Sequence, residues 1–178
     1  MKKITAIFGA LSTVFFLIHL VVACIYYVGI MPYGYIHMTI GGILSITMSI
    51  HMIAATTLMV QNRQRDKKAK QYPKLNMSVV LQFATGIFTG IFLLLHVLVI
   101  ELNKSFDGTI FDVIYVSVEF LFILVVCTHI AVSVPKHFIS MGLIKRRETY
   151  PLIQKRTNAF LAFMFVLYVG SQIMFWTA

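Results

Sequence analysis

Two histidines lie in the middle of strongly apolar runs of this sequence. The first is His19 in FFLIHLVV, and the second is His96, at the same place in FLLLHVLV. Two further apolar runs contain His51 and His129. A neutral imidazole in such a setting can form a core hydrogen bond, relay protons or bind a metal ion. The chemistry that these four residues share is therefore the first question the sequence raises.

The composition indicates an integral membrane protein rather than a soluble domain. Of the 178 residues, 59% are hydrophobic and 12% are charged, and the mean hydropathy is +0.87. A hydrocarbon core of about 30 Å is crossed by about 20 helical residues, and lipid offers backbone groups no water partner, so each span must be a helix. We expect an all-α fold with a single transmembrane domain, 1–178. Its helices are predicted at about 4–30, 35–61, 77–102, 110–134 and 158–177.

The distribution of Lys and Arg predicts the orientation in the cell membrane. Among the 15 basic residues, only Lys104 lies in an outer connection. The others lie at the N-terminus and around the connections between spans two and three and between spans four and five. The positive-inside rule places these segments in the cytoplasm, and with five spans the C-terminus is outside. This asymmetry, rather than nucleic-acid binding, accounts for the net charge of +9.

Counting residues along the spans, at about 1.5 Å each, places the histidines at two depths. On the two spans that run outward, His19 and His96 fall in the outer half of the membrane. On the two that run inward, His51 and His129 fall in the inner half. The sequence therefore predicts two pairs of histidines, each pair drawn from two different helices.

The paired arrangement favours haem over the alternatives. A single buried histidine is more often a hydrogen-bonded core residue than a ligand, but four at two levels are difficult to explain as packing. Zinc takes four converging ligands, often thiolates or carboxylates, and these do not cluster with the histidines. Bis-histidine haem ligation needs one neutral imidazole from each of two facing helices. We expect an outer haem b on His19 and His96 and an inner haem b on His51 and His129.

Other polar residues near the helix ends are candidates for secondary roles. Near the outer haem, candidates for a quinone site are His37, Glu101, Asp112 and Glu119, although ordinary interface polarity also explains each. At the inner face, candidates to pair with haem propionates are Arg63, Lys74 and Lys136. The positive-inside rule alone also accounts for these cations. His137 is expected to lie in solvent or among headgroups.

The sequence resembles the cytochrome b subunit family of succinate dehydrogenase and fumarate reductase, in its single-subunit, five-span, diheme form. The resemblance rests on the order of the four histidines, on LQFATGIFTGIFLLLHV in the third span, and on a last span, QKRTNAFLAFMFVLYVG, without histidine. It implies that first-with-third and second-with-fourth histidines hold two haems b. It also implies a non-flavin membrane subunit of an oxidoreductase complex, which anchors a cytoplasmic flavoprotein subunit and an iron–sulfur subunit. Such a subunit exchanges electrons with menaquinone or ubiquinone.

Two other functions remain open from the sequence. One is a diheme cytochrome b of another quinone-linked oxidoreductase, of the formate dehydrogenase or ferric reductase type. The other is a haem-free transporter that relays protons through its histidines. The scarcity of intramembrane acids and of Gly or Pro breaks argues against the transporter. A secretory or lipoprotein signal around LVVAC is disfavoured because the apolar run continues through IYYVGI.

Overall fold

The described part of the chain forms five helices, as the sequence predicts. The computed structural model describes residues 2–68, 77–103, 108–142 and 148–177. The helices are α1 (Lys2–Tyr27), α2 (Tyr35–Lys68), α3 (Met77–Leu102), α4 (Thr109–Ser140) and α5 (Thr149–Thr177). Each is long and apolar enough to cross a membrane. The all-α fold is thereby confirmed, and five apolar helices of this length are consistent with a multi-pass membrane protein.

Helix α1 ends before its apolar run does. Gly29 adopts a φ of +75°, a left-handed conformation that glycine takes at little cost. The Gly29 amide donates to the Tyr26 carbonyl, and the Ile30 amide donates to the Ile25 carbonyl at 3.1 Å. This is the Schellman pattern that closes a helix C-terminus. The predicted helix end at Ile30 is therefore wrong, and the last apolar residues belong to the connection.

Helices α2, α4 and α5 extend beyond the apolar runs from which they were predicted. Helix α2 continues to Lys68, α4 continues to Ser140 with Pro135 inside it, and α5 begins at Thr149. A helix keeps its internal hydrogen bonds after it leaves the hydrocarbon, so the apolar length sets only a lower bound. Pro151 lies in the first turn of α5, where the amide hydrogen that proline lacks has no helical acceptor anyway.

The helices pack as two antiparallel hairpins that a fifth helix joins. Helix α1 packs along α2, α3 packs along α4, and α5 packs against both α4 and α1. Helix α1 also touches α4, and their buried core includes Leu20, Ile123 and, from α5, Leu161. On α2, the Met52 side chain lies against Gly90 of α3, where an added β-carbon would collide with it. The Met52 contact with Gly90 therefore brings the two hairpins together on the side away from α5 as well.

Candidate functional site

The structure brings the outer pair of histidines together between α1 and α3. The ring centroids of His19 and His96 are 6.4 Å apart, and their planes are perpendicular. A metal ion bonded at about 2.0 Å to one nitrogen of each ring would separate the centroids by roughly 6 Å. The two imidazoles therefore lie at the separation that axial ligation of one ion requires.

The described residues offer pairs of ligands rather than larger clusters. Within the ranges that the structure describes, no group of three or more His, Cys, Asp or Glu residues is placed to hold a metal ion. A zinc site needs three or four protein ligands. Haem supplies four nitrogen ligands itself, so the protein needs to provide only the axial ligands. A pair such as His19 and His96 fits haem better than a bare metal ion.

A cavity of about 240 Å³ is lined by both outer histidines. All five helices contribute to its wall, which is mainly aromatic and aliphatic. Its polar lining residues include His37, Asn103, Glu119, Tyr26, Tyr115 and Tyr168. An apolar cavity with a few polar groups is the usual form of a cofactor or small-molecule site.

In the first hairpin, each histidine ring lies over a glycine of the other helix. Gly9 comes ten residues before His19, and Gly41 comes ten residues before His51. Because α1 and α2 are antiparallel, His51 lies over Gly9 and His19 lies over Gly41. A β-carbon on Gly9 would stand 2.8 Å from His51 Cε1, and one on Gly41 would stand 3.4 Å from His19 Cε1. These glycines leave the space that the rings occupy.

The second hairpin repeats this pattern with one change. Gly86 comes ten residues before His96, and its β-carbon would stand 3.2 Å from His129 Cε1. The residue ten positions before His129 is Glu119, and it contacts His96. Ten helical residues correspond to about 15 Å along an axis, so the two histidine levels are separated by about that distance. The sequence shows the equivalent spacing of Gly9 with His19 and of Gly86 with His96, but the residue that lies under each ring is visible only in the packed helices.

Two of the predicted ligands have a hydrogen-bond partner that fixes their tautomer. His51 Nδ1 lies 2.9 Å from the Thr5 carbonyl oxygen, which can only accept, so Nδ1 carries the hydrogen. His96 Nδ1 lies 2.5 Å from Glu119 Oε1. Metal-binding histidines usually donate the hydrogen of their other ring nitrogen to a carbonyl or carboxylate in this way. In both residues Nε2 is then left with the lone pair that binds a metal ion.

His129 has a similar partner, whereas His19 does not. The Thr85 hydroxyl donates to the Leu81 carbonyl at 2.7 Å, so its oxygen accepts the hydrogen of His129 Nδ1 at 3.1 Å. The Ser133 hydroxyl oxygen lies 3.5 Å from His129 Nε2, at the limit of a hydrogen bond. His19 Nδ1 is buried and has no hydrogen-bond partner in the part of the chain that the structure describes. The two ligands of the outer pair therefore lie in different surroundings.

His137 lies deeper than the sequence indicates. Its ring is half-buried, and its centroid is 6.2 Å from that of His51. An added β-carbon on Gly9 would stand 3.0 Å from His137 Nε2 as well. The inner level thus holds a third imidazole near the pair predicted from His51 and His129, and the ring contact of His51 is with His137.

The basic residues predicted to contact haem propionates differ in their surroundings. Lys136 Nζ donates to Gln82 Oε1 at 3.0 Å and so links α4 to α3. Arg63 is exposed near the end of α2. Lys74 lies outside the described residues. For a propionate contact, Lys136 is the one of these cations that the structure places within the bundle.

Of the quinone-site candidates, His37 and Glu119 line the cavity. His37 is 4% exposed, and its Nε2 donates to the Val22 carbonyl at 3.3 Å. Its Nδ1 is buried and has no hydrogen-bond partner within the described ranges. Its ring lies 5.0 Å from that of Tyr33. Glu101, at the end of α3, and Asp112, in the first turn of α4, are not among the described residues that line the cavity.

No protein-family model, curated protein or solved structure matches this chain. The resemblance stated from the sequence therefore rests on the histidine order and the helix pattern. The geometry of the His19 and His96 pair is an independent observation.

The fit of His51 over Gly9 predicts a stability difference between two glycine substitutions. Gly9→Ala is expected to lower the free energy of unfolding by about 1–3 kcal/mol, because its β-carbon displaces a ring in a packed interior. Gly42→Ala is the matched control, since a β-carbon there meets nothing within 4 Å. Thermal unfolding of the detergent-solubilised variants measures the difference. Equal melting temperatures would contradict the packing described for Gly9.

Proposed function

We propose that the chain is the diheme cytochrome b membrane subunit of a succinate:quinone oxidoreductase or quinol:fumarate reductase. His19 and His96 would hold the outer haem b, and His51 and His129 the inner one. The observation that carries the proposal is the outer pair, because its two perpendicular rings from α1 and α3 are 6.4 Å apart beside a cavity. The hydrogen bonds that leave Nε2 of His51, His96 and His129 available add to it.

The residues of the chain would position, orient and shield the cofactors. Gly9, Gly41 and Gly86 leave room for the imidazoles, and Thr5 and Thr85 orient two of them. The wall of the cavity, which is mainly aromatic and aliphatic, would surround a bound haem with apolar groups and strengthen the polar interactions beside it. When bound, the haems would supply one-electron transfer between a membrane quinone and the soluble subunits.

A quinone headgroup is the substrate expected near the outer end of the cavity. His37 and Glu119 line that cavity, and His37 Nδ1 has no hydrogen-bond partner among the residues that the structure describes. A quinone offers two carbonyl oxygens and, once reduced, two hydroxyl groups that can donate to such a nitrogen. Menaquinone and ubiquinone both satisfy this chemistry. We propose His37 and Glu119 as the first residues to test for quinone binding.

The proposed partners are a flavoprotein subunit and an iron–sulfur subunit on the cytoplasmic side of the cell membrane. This part of the proposal rests on the family resemblance and on the inner basic segments, whose charge suits an acidic protein surface. Lys136 and Arg63 belong to these basic segments. The chain itself would be the anchor and electron carrier rather than the site of dicarboxylate chemistry.

The experiment is to reduce the haem in membranes that contain the chain and its partner subunits, with succinate or with a quinol analogue. Reduction of the same haem by either donor is expected, and membranes carrying His96→Ala are the control for haem held at the outer site. Reduction by quinol and by formate, but not by succinate, would replace this proposal with the formate dehydrogenase-type alternative. Absence of haem from the chain would favour the other alternative, a haem-free transporter that relays protons through its histidines.

A further inference from the structure

Glu119 interrupts the pattern by which histidine rings lie over glycines. At the other three positions the residue ten before a histidine is glycine, namely Gly9, Gly41 and Gly86. The outer pair is therefore asymmetric. His19 lies over Gly41 with Nδ1 unpartnered, whereas His96 Nδ1 lies 2.5 Å from a Glu119 oxygen.

The Glu119 side chain is held by donors on both of its oxygens. It is 3% exposed, and Oε2 accepts a hydrogen bond from the Tyr168 hydroxyl of α5 at 3.1 Å. The Gln172 amide donates to that same hydroxyl oxygen at 3.2 Å. With His96 on Oε1 and Tyr168 on Oε2, each carboxylate oxygen has a donor. A carboxylate inside a membrane span is costly and usually marks a functional residue.

We propose that Glu119 is a positioning residue that acts through His96 and lowers the reduction potential of the outer haem selectively. The inference rests on the proposed function. A carboxylate that accepts the Nδ1 hydrogen fixes the ring and increases the basicity of the ligating nitrogen. A more basic ligand and a nearby negative charge both favour the oxidised iron over the reduced iron. His51 and His129 have neutral oxygen partners, so the inner haem lacks this effect.

A purely structural role for Glu119 makes a different prediction. A buried carboxylate that accepts hydrogen bonds from neutral groups is weak evidence for stability, because the cost of desolvating its charge offsets much of the attraction. If Glu119 only held α4 against α3 and α5, its loss would change unfolding or haem retention and would leave the potential of any retained haem unchanged. The reduction potential therefore separates the two roles.

The test is a spectroscopic redox titration of the purified haem-loaded chain, with Glu119→Gln compared with the unsubstituted protein. Glutamine keeps an oxygen acceptor for His96 and removes the charge. We expect the ratio of reduced to oxidised haem at a fixed potential to rise at least tenfold for one of the two haems, about 59 mV in midpoint potential. For the other haem, the same ratio of reduced to oxidised form is expected to change less than threefold. Glu148→Gln is the matched control, because it makes the same chemical change at an exposed residue just before α5.

Tyr168→Phe is the second variant, and it keeps the carboxylate while removing one donor to it. Without that hydrogen bond Glu119 is a stronger acceptor for His96, so the same haem is expected to become harder to reduce, opposite to Glu119→Gln. Equal potentials in Glu119→Gln and Glu148→Gln, or equal shifts of both haems, would overturn the inference. If Glu119→Gln retains only one haem, an unchanged potential in Tyr168→Phe overturns it. Two haems in the unsubstituted chain with no shift in either variant would leave the proposed function standing, whereas no haem at all would reject both.

Discussion

His96→Ala is expected to lower the haem content of the purified chain from two b-type haems to one. The centroids of the His19 and His96 rings lie 6.4 Å apart, so removal of either imidazole would leave the proposed outer haem with only one protein ligand. His19→Ala is expected to give the same loss. The measurement is a pyridine haemochrome assay normalised to protein.

His37→Ala is the control for this first prediction. His37 is also a buried histidine that lines the cavity, but it bonds to the Val22 carbonyl and stacks on Tyr33 instead of facing another predicted ligand. Two haems are expected to remain in this variant. Equal haem content in His96→Ala and His37→Ala would contradict the assignment of the outer pair.

His51→Ala and His129→Ala are expected to remove the inner haem and leave the outer one. Both residues donate Nδ1–H to an oxygen and so present Nε2 as a ligand. Both also belong to the ten-residue pattern that places rings over Gly9 and Gly86. The same haem assay applies, and difference spectra recorded at low temperature identify which haem is lost.

His137→Ala is the decisive comparison for the inner pair. His137 lies 6.2 Å from His51 between centroids, a separation close to that of the outer pair. Because it stands outside the ten-residue pattern, its loss is expected to leave two haems in place. Loss of the inner haem in His137→Ala, with retention in His129→Ala, would assign His137 as the partner of His51.

The helices were predictable from the sequence because lipid imposes a simple rule on apolar length. The ends of the helices were less predictable. Gly29 ends α1 through its backbone conformation, and the polar first turns of α5 remain helical beyond the hydrocarbon. Hydropathy measures neither effect, so the predicted ends at Ile30 and at 158 are wrong while the number of helices is confirmed.

The site was predictable only as far as the depth of single residues. Counting along the spans placed His19 with His96, which the structure brings into ring contact. It could not show which residue of a neighbouring helix lies under each ring, because that depends on the register of antiparallel helices. From the sequence, Glu119 is therefore only one of several acidic candidates for a quinone site, and His137 is predicted to lie in solvent or among the headgroups. Side-chain contacts such as those of Glu119 with His96 and Tyr168 need the packed structure.

The central claim is that this chain holds two haems on paired histidines. It is tested most directly by a dithionite-reduced minus oxidised visible spectrum of the purified chain, expressed with ample haem, together with a pyridine haemochrome count. The account predicts b-type bands and two haems per chain. A spectrum without haem bands would contradict this account and would favour a role for the four histidines in proton relay.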